Sequence, residues 1–279
     1  MNKSVLSVLA AGALSLVLSG CGESSAPDAD AVSVSGSTSV TELMEVLGEH
    51  WHKQSKVIVE VQGTGSSAGI HAANQGTSHI GMSSREVAGD ELVSGVTTSV
   101  LAYDGIAVVV NSSNTIAGLS TAQVAAIYRG EASNWQDVGG EDLPIVLVTR
   151  DPASGTRVAF EDIMGLKAED ERGNIVSTIA RTAQVAPGNG AVKMTVAQNS
   201  HAIGYISLGS VDGSLKSVSI DGIEASMDTI ADKSYKIIRP FVLMHAGQEA
   251  SKNSEAFLTW LLSDEAQNIV SAEGYIPAN

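Results

Sequence analysis

Three short segments of this 279-residue chain gather hydroxyl side chains where a small anion would need them: Ser37-Thr38-Ser39, Ser66-Ser67 and Ser154-Gly155-Thr156. Each follows a β-like run and precedes residues at helical spacing, so each is expected in the first turn of a helix. A helix start carries unpaired N–H donors and the positive end of the dipole, and hydroxyls add donors without adding formal charge. Arg150, four residues ahead of Ser154, contributes a planar, forked cation suited to oxyanions. Any one of these turns alone reads first as an ordinary N-cap, because Ser and Thr are preferred there. Three of them with a matching arginine point to an anion site, and residue chemistry alone leaves the anion unspecified.

The elements that must position these groups alternate strand, hydroxyl-rich turn and helix. Val32-Ser33-Val34 leads through Gly36 into a helix over residues 40–54, with Val40, Leu43, Met44, Leu47 and Trp51 on one face and Ser39 and Glu42 as a capping box. Residues 57–61 are the second strand, followed by Gly63-Thr64-Gly65-Ser66-Ser67-Ala68-Gly69 and a short helix from about Ile70; residues 79–82 are the third. Residues 106–111 form an apolar run, as suits a strand buried on both faces. Ser120 caps a helix through Tyr128, and the strand over 144–149 delivers Arg150 and the Ser154 turn to a helix through Met164. Pro187-Gly188-Asn189-Gly190 starts another helix near Ala191, residues 202–206 and 237–244 are strands, and two helices lie around 257–262 and 265–272. The recurrence predicts an α/β sheet with its strand ends gathered on one side.

Charge and the N-terminus bound the partners. Sixteen Lys and Arg against 31 Asp and Glu leave a formal net charge of −15 with no basic run, which disfavours nucleic acid. An anion site in such a chain must be local and buried, fed by helix starts rather than by the global field. Lys3, the apolar run over 5–18 and Leu18-Ser19-Gly20-Cys21 follow the order of a secretory signal, residues 1–20, and the run is too short for a strong membrane span. The tetrapeptide resembles a bacterial lipobox, which implies lipidation at Cys21. Cys21 is the sole cysteine, so no intrachain disulfide or cysteine-rich metal site forms. Residues 21–30 read as a flexible tether, with folding expected to start near Ala31.

Gly36-Ser37-Thr38-Ser39, Gly63-Thr64-Gly65-Ser66-Ser67-Ala68-Gly69, Ile80-Gly81-Met82-Ser83-Ser84-Arg85-Glu86, Arg150-Asp151-Pro152-Ala153-Ser154-Gly155-Thr156 and Ala202-Ile203-Gly204-Tyr205 occur in an order that resembles the phosphate-binding proteins of ABC phosphate transporters. The resemblance spans nearly all of the chain after the tether. It implies a two-domain α/β clamshell of the class II periplasmic-binding-protein type with crossing hinge strands, one domain over 31–105 plus 240–279 and the other over 106–239. It also implies inorganic phosphate as ligand, the permease subunits of an ABC importer as partners, a monomer, no cofactor and no turnover. Carried over residue by residue, Thr38, Ser39, Ser66, Arg150, Ser154, Gly155 and Thr156 hold the anion, with Ser37, Ser84 and Arg85 as further possibilities. Some family members carry a ligand aspartate where Ser84 stands. Asp104, in the presumed crossing strand, is the candidate carboxylate in its place, and a turn aspartate ahead of Gly105 is the equally open alternative. Arg85 is expected at the rim with Glu86 as partner, and Asp151 is expected to orient Arg150.

Rival motifs are weaker. Gly65-Ser66-Ser67-Ala68-Gly69 satisfies G-x-S-x-G, which makes an exported serine hydrolase the alternative, with His201 and His245 as late histidines. Gly63-x-Gly65-x-x-Ala68 with Glu86 fits a lone dinucleotide fingerprint. His50-x-His52 has the wrong spacing for a helical zinc pair, so no metal is expected. Met44, Met82, Met164, Met194, Met227 and Met244 read as core fillers, and Trp135 and Trp260 as packing residues. A sensory or adhesion lipoprotein on the same fold is a third reading, since fold alone does not set function.

Overall fold

Alternating strands and helices build one continuous ten-stranded sheet, described here from a computed structural model over residues 31–246 and 251–278. The signal segment, the tether and Cys21 lie outside the described residues. In chain order the elements are β1 Val32–Gly36, α1 Thr38–Ser55, β2 Val59–Gly63, α2 Ser66–Gln75, β3 Ile80–Ser83, β4 Val96–Asn111, β5 Gly118–Leu119, α3 Thr121–Arg129, β6 Val146–Arg150 and α4 Gly155–Met164. They continue with β7 Lys167–Glu169, β8 Ile175–Ser177, β9 Gln184–Ala186, α5 Asn189–Gln198, β10 Ala202–Ser207, β11 Leu215–Ser217, β12 Ser219–Ile220, α6 Met227–Ala231, β13 Ile238–Ala246, α7 Lys252–Leu261, α8 Asp264–Ala272 and β14 Ile276–Pro277. The expected α/β class with crossing strands is what the topology displays.

The large sheet runs β2-β1-β3-β13-β4-β10-β6-β9, with β11 and β14 also pairing with β4. At one end β1 is parallel to β2 and β3, and at the other β6 is parallel to β10 and β9. Between them β4 and β13 lie antiparallel, registered through Ile238 with Gly105 and Arg239 with Asp104. Pro240 is tolerated in so central a strand next to the register shift at Phe241/Val242, where the ladder is already interrupted.

Apolar side chains condense into separate clusters on either side of this junction. Val32, Leu43, Leu47 and Met82 pack with Phe241, Phe257 and Trp260, whereas Ile106, Val108, Tyr128, Phe160, Tyr205 and Tyr235 pack among themselves. A third cluster, including Val109, Val148, Val192 and Ile206, covers the other face of the second sheet half, so β4 is apolar on both faces there. Met44, Met82, Met164 and Met244 are buried as expected; Met194 is not a core filler but 62% exposed on α5.

Helix starts correct several expected boundaries. α1 begins at Thr38 with Ser37 as N-cap, its hydroxyl accepting from the Ser39 N–H, so the Ser39/Glu42 capping box does not form. α2 begins at Ser66 rather than near Ile70, because Gly65 at φ 96° turns the chain straight into the helix. Ser120 and Ser154 cap α3 and α4 as expected. Gly36, at φ 140°, lets β1 pass against β3: a Cβ there would sit 2.8 Å from the Met82 backbone nitrogen.

Candidate functional site

The three hydroxyl-bearing helix starts meet at the junction between the two halves of the sheet. Ser39 Oγ of α1 lies 2.9 Å from Thr156 Oγ1 of α4. Ser66 Oγ at the head of α2 accepts the Ser84 N–H at 3.1 Å and sits 3.4 Å from Ser84 Oγ. The Ser67 N–H donates to the Ala153 carbonyl at 3.2 Å, tying α2 to the turn before α4. Gly155 is the point of closest approach, where a Cβ would stand 2.8 Å from Ser66 Cβ and 2.9 Å from Ser84 Oγ. Ser37, Ser39, Ser66, Ser84, Ser154 and Thr156 are all nearly solvent-free, and Thr38 is half-buried. Two of the hydroxyls are committed: Ser37 caps α1, and Ser154 accepts the Arg157 N–H.

Arg150 ends β6 and turns its guanidinium into this cluster. Its Nη2 donates to Thr38 Oγ1 at 2.9 Å, its Nη1 to Asn189 Oδ1 at 3.0 Å and its Nε to the Ala186 carbonyl at 3.2 Å, with the Pro187 carbonyl at 3.4 Å. Burial lowers its pKa to about 10, which leaves it charged at neutral pH. Asp151 does not orient it as expected: its Oδ1 accepts the Ala153 N–H and shapes the turn instead. That orienting work falls to backbone carbonyls and to Asn189, a residue that sequence reasoning misses inside a Pro-Gly-Asn-Gly turn. Asn189 also donates to Ser39 Oγ at 3.2 Å and Ser210 Oγ at 3.1 Å, joining all three groups.

Asp104 is no turn residue. It lies inside β4 and its Oδ2 takes two N–H bonds from Arg239, at 3.0 Å from Nε and 2.7 Å from Nη2. Both side chains are 1% exposed. Desolvation raises the carboxyl pKa against the opposing pull of Arg239. Sequence reasoning also misses Arg239, although a lone charge inside Ile237-Ile238-Arg239-Pro240-Phe241 is a signal, since arginine is rarely buried without a partner.

Arg85 sits at the rim, with Glu91 rather than Glu86 as its carboxylate partner: Nη1 and Nη2 reach the two Glu91 oxygens at 2.8 and 2.6 Å, and Glu86 offers only its carbonyl. The hydrogen bond from Arg85 is the main cause of a lowered Glu91 pKa. Arg85→Ala is therefore expected to leave anion affinity unchanged and to cost about 0.5–1 kcal/mol of stability, the range of a partly exposed pair. Because the folded-state pKa is depressed, that difference is present above the usual carboxylate range and lost as pH falls through the folded pKa. Urea melts of parent and variant at neutral and acidic pH check it, and an equal loss at both would contradict it.

Chemically, the cluster is rich in neutral donors around one cation, an arrangement for holding an oxyanion rather than for transferring a group. Among the described residues no histidine or carboxylate hydrogen-bonds the Ser67 hydroxyl; His245 contacts Thr97 and Ser99, and the His201 N–H donates to Asn199. Glu86, the ribose carboxylate of the dinucleotide reading, is exposed on the rim. No metal-binding cluster of His, Cys, Asp or Glu occurs among the described residues.

Comparisons with known proteins agree with this geometry. A family model described as a PBP superfamily domain matches residues 22–265. The chain is similar to a solved putative phosphate ABC transporter substrate-binding protein with bound phosphate from Clostridium perfringens, at 40% identity and a TM-score of 0.84 over 89% of this chain and 100% of that one. It is also similar to an ABC-type phosphate transport receptor from Vibrio cholerae, at 39% identity and a TM-score of 0.73 over 88% and 99% of the two chains. The phosphate-binding protein PstS of Borreliella burgdorferi is 28% identical over 255 residues, 88% of this chain and 89% of its own.

Proposed function

The chain belongs to the PBP superfamily, and on that premise we propose that it captures inorganic phosphate between two lobes and hands it to the permease subunits of an ABC importer. It is a binding protein, not an enzyme, and the Gly65-Ser66-Ser67-Ala68-Gly69 turn is a binding turn rather than a nucleophile elbow. The observation that carries the reading is the burial of Arg150 against Thr38 within the ring of helix-start hydroxyls. Thr38, Ser39, Ser66, Arg150, Ser154, Gly155 and Thr156 surround the anion through hydroxyls, backbone N–H groups and one fork. Asp104 lies beneath them in the hinge.

The lobes comprise residues 31–105 with 240–279 and residues 106–239, joined through β4 and β13. Separate apolar clusters on the two sides support that division. Closure brings Ser39 to Thr156 and Ser66 to Gly155, so the ligand is enclosed by groups from both lobes. The protein works as a monomer, exported and held by lipid at Cys21 on the periplasmic or outer face of a bacterial membrane; Leu18-Ser19-Gly20-Cys21 and the acidic tether support this.

Calorimetric titration of the mature chain, stripped of ligand, with phosphate and sulfate side by side is the test. One phosphate per molecule is expected, with tighter binding than sulfate. Phosphate at 100 times its Kd should add about 2.7 kcal/mol of stability by mass action. Absence of both heat and any melting shift in millimolar phosphate would overturn the reading.

A further inference from the structure

The hinge holds a buried cation whose donors exceed its acceptors. Arg239 stands opposite Asp104 across β13 and β4, and its Nε and Nη2 both converge on Oδ2. Asp104 Oδ1 has no hydrogen bond of good geometry among the described residues, although the Ser207 hydroxyl and the Gly209 N–H stand near enough to the carboxylate to favour its charged form. Nη1 of Arg239 reaches only the Ser84 carbonyl, at a long 3.4 Å. A guanidinium carries five N–H donors, so two, one on each terminal nitrogen, lack an acceptor among the described residues. Donors left unpaired in a site this dry are costly, and a buried ion pair is itself no reliable source of stability.

Their surroundings say what they face. Ser84, to which Nη1 points, gives its N–H to Ser66 Oγ, and its own hydroxyl stands against Gly155. Arg239 therefore lies one residue from the hydroxyl ring, on the side of Ser84. Its charge is also felt at Arg150, where it adds to desolvation in lowering the pKa.

From these contacts, and resting on the phosphate reading above, we infer that Arg239 supplies a second guanidinium to the bound anion and that Asp104 serves the site by holding Arg239, not by meeting the anion itself. The anion is then gripped between Arg150 on one lobe and Arg239 on the hinge. Asp104 is a positioning residue. It fixes the side of the guanidinium that carries Nε, and it cancels the added charge so that the site gains donors without a second net positive charge.

Phosphate and sulfate titrations of the parent, Asp104→Asn/Arg239→Gln and Arg239→Lys test the inference. The double variant replaces the ion pair by two neutral amides, so the net charge of the site is kept and the fold is spared a lone buried charge. It is expected to melt within a few degrees of the parent yet to bind phosphate about 10- to 100-fold more weakly, the loss due to hydrogen bonds to a charged partner. Arg239→Lys recovers part of that loss, because it keeps the cation with fewer and less directed donors. Asp104→Asn alone is expected to change phosphate and sulfate affinities by the same factor, since it acts on both through Arg239. A folded double variant that binds phosphate like the parent would overturn the inference while leaving the phosphate reading intact. So would an Asp104→Asn protein whose phosphate-to-sulfate ratio narrows, for then the carboxylate meets the anion directly. A parent without phosphate heat would overturn both readings together.

Discussion

Gly155→Ala is expected to lower phosphate affinity by about 10- to 100-fold and to leave the melt of the ligand-free protein close to that of the parent. The added methyl would stand 2.8 Å from Ser66 Cβ and 2.9 Å from Ser84 Oγ, well inside van der Waals contact. Overpacking of this kind costs about 1–3 kcal/mol, which converts to the stated range of affinity. The partners in the clash come from elements on opposite halves of the sheet, and the two lobes proposed above relieve it by standing apart. The penalty then falls on closure, not on folding. Calorimetry reads the affinity, and X-ray scattering reads the loss of phosphate-dependent shrinkage. A Gly155→Ala protein that closes and binds normally would show that the α2 and α4 starts do not approach on the ligand.

Arg150→Lys is expected to weaken phosphate binding by a similar factor although the charge is kept. Arg150 divides four of its five donors among the Ala186 and Pro187 carbonyls, Asn189 Oδ1 and Thr38 Oγ1, and keeps one, on Nη1, for an anion. An ammonium offers three donors from one point and cannot hold these partners and an anion together. Each hydrogen bond lost to a charged group is worth about 1.5–3 kcal/mol, and some of that appears as lower stability because carbonyls are left unpaired. Melts in the absence of phosphate therefore accompany the titration. If affinity survives while Arg239→Lys abolishes it, the principal anion-binding arginine is the one on the hinge.

What was legible in the sequence was local. Ser37, Ser66 and Ser154 announce helix starts through hydroxyl and glycine chemistry that acts within a few residues, and all three lie in or next to a first helical turn. The ends of α4 at Met164 and of α8 at Ala272 fall where the helical spacing places them. What escaped depends on contacts between distant segments. Asn189 owes its place to Arg150, Ser39 and Ser210, none of which its own turn hints at. Arg239 and Asp104 become partners only through the register of β13 on β4. Adjacency in sequence pairs Arg85 with Glu86, whereas Gly89–Glu91 folds into a short helical turn that swings Glu91 back onto the guanidinium.

The separation of the apolar clusters also sets an order of assembly. Residues 106–237 carry every buried member of the cluster that includes Tyr128, Phe160 and Tyr205, and only the partly buried Ile238 and Ile276 join it from β13 and beyond. The other cluster is split in the chain: Val32, Leu43, Leu47 and Met82 emerge first, yet they pack against Phe257, Trp260 and Val270, which come last. Until α7 and α8 arrive, β1, β3 and the inner face of α1 lack the apolar partners that cover them in the native structure. Contacts of such long sequence separation form slowly, and an unfinished apolar sheet is where chains associate wrongly. A chain broken off just after β13 therefore retains the buried members of the first cluster and loses the closing layer of the other, and the early segments are the part of this protein most in need of protection while it is being made.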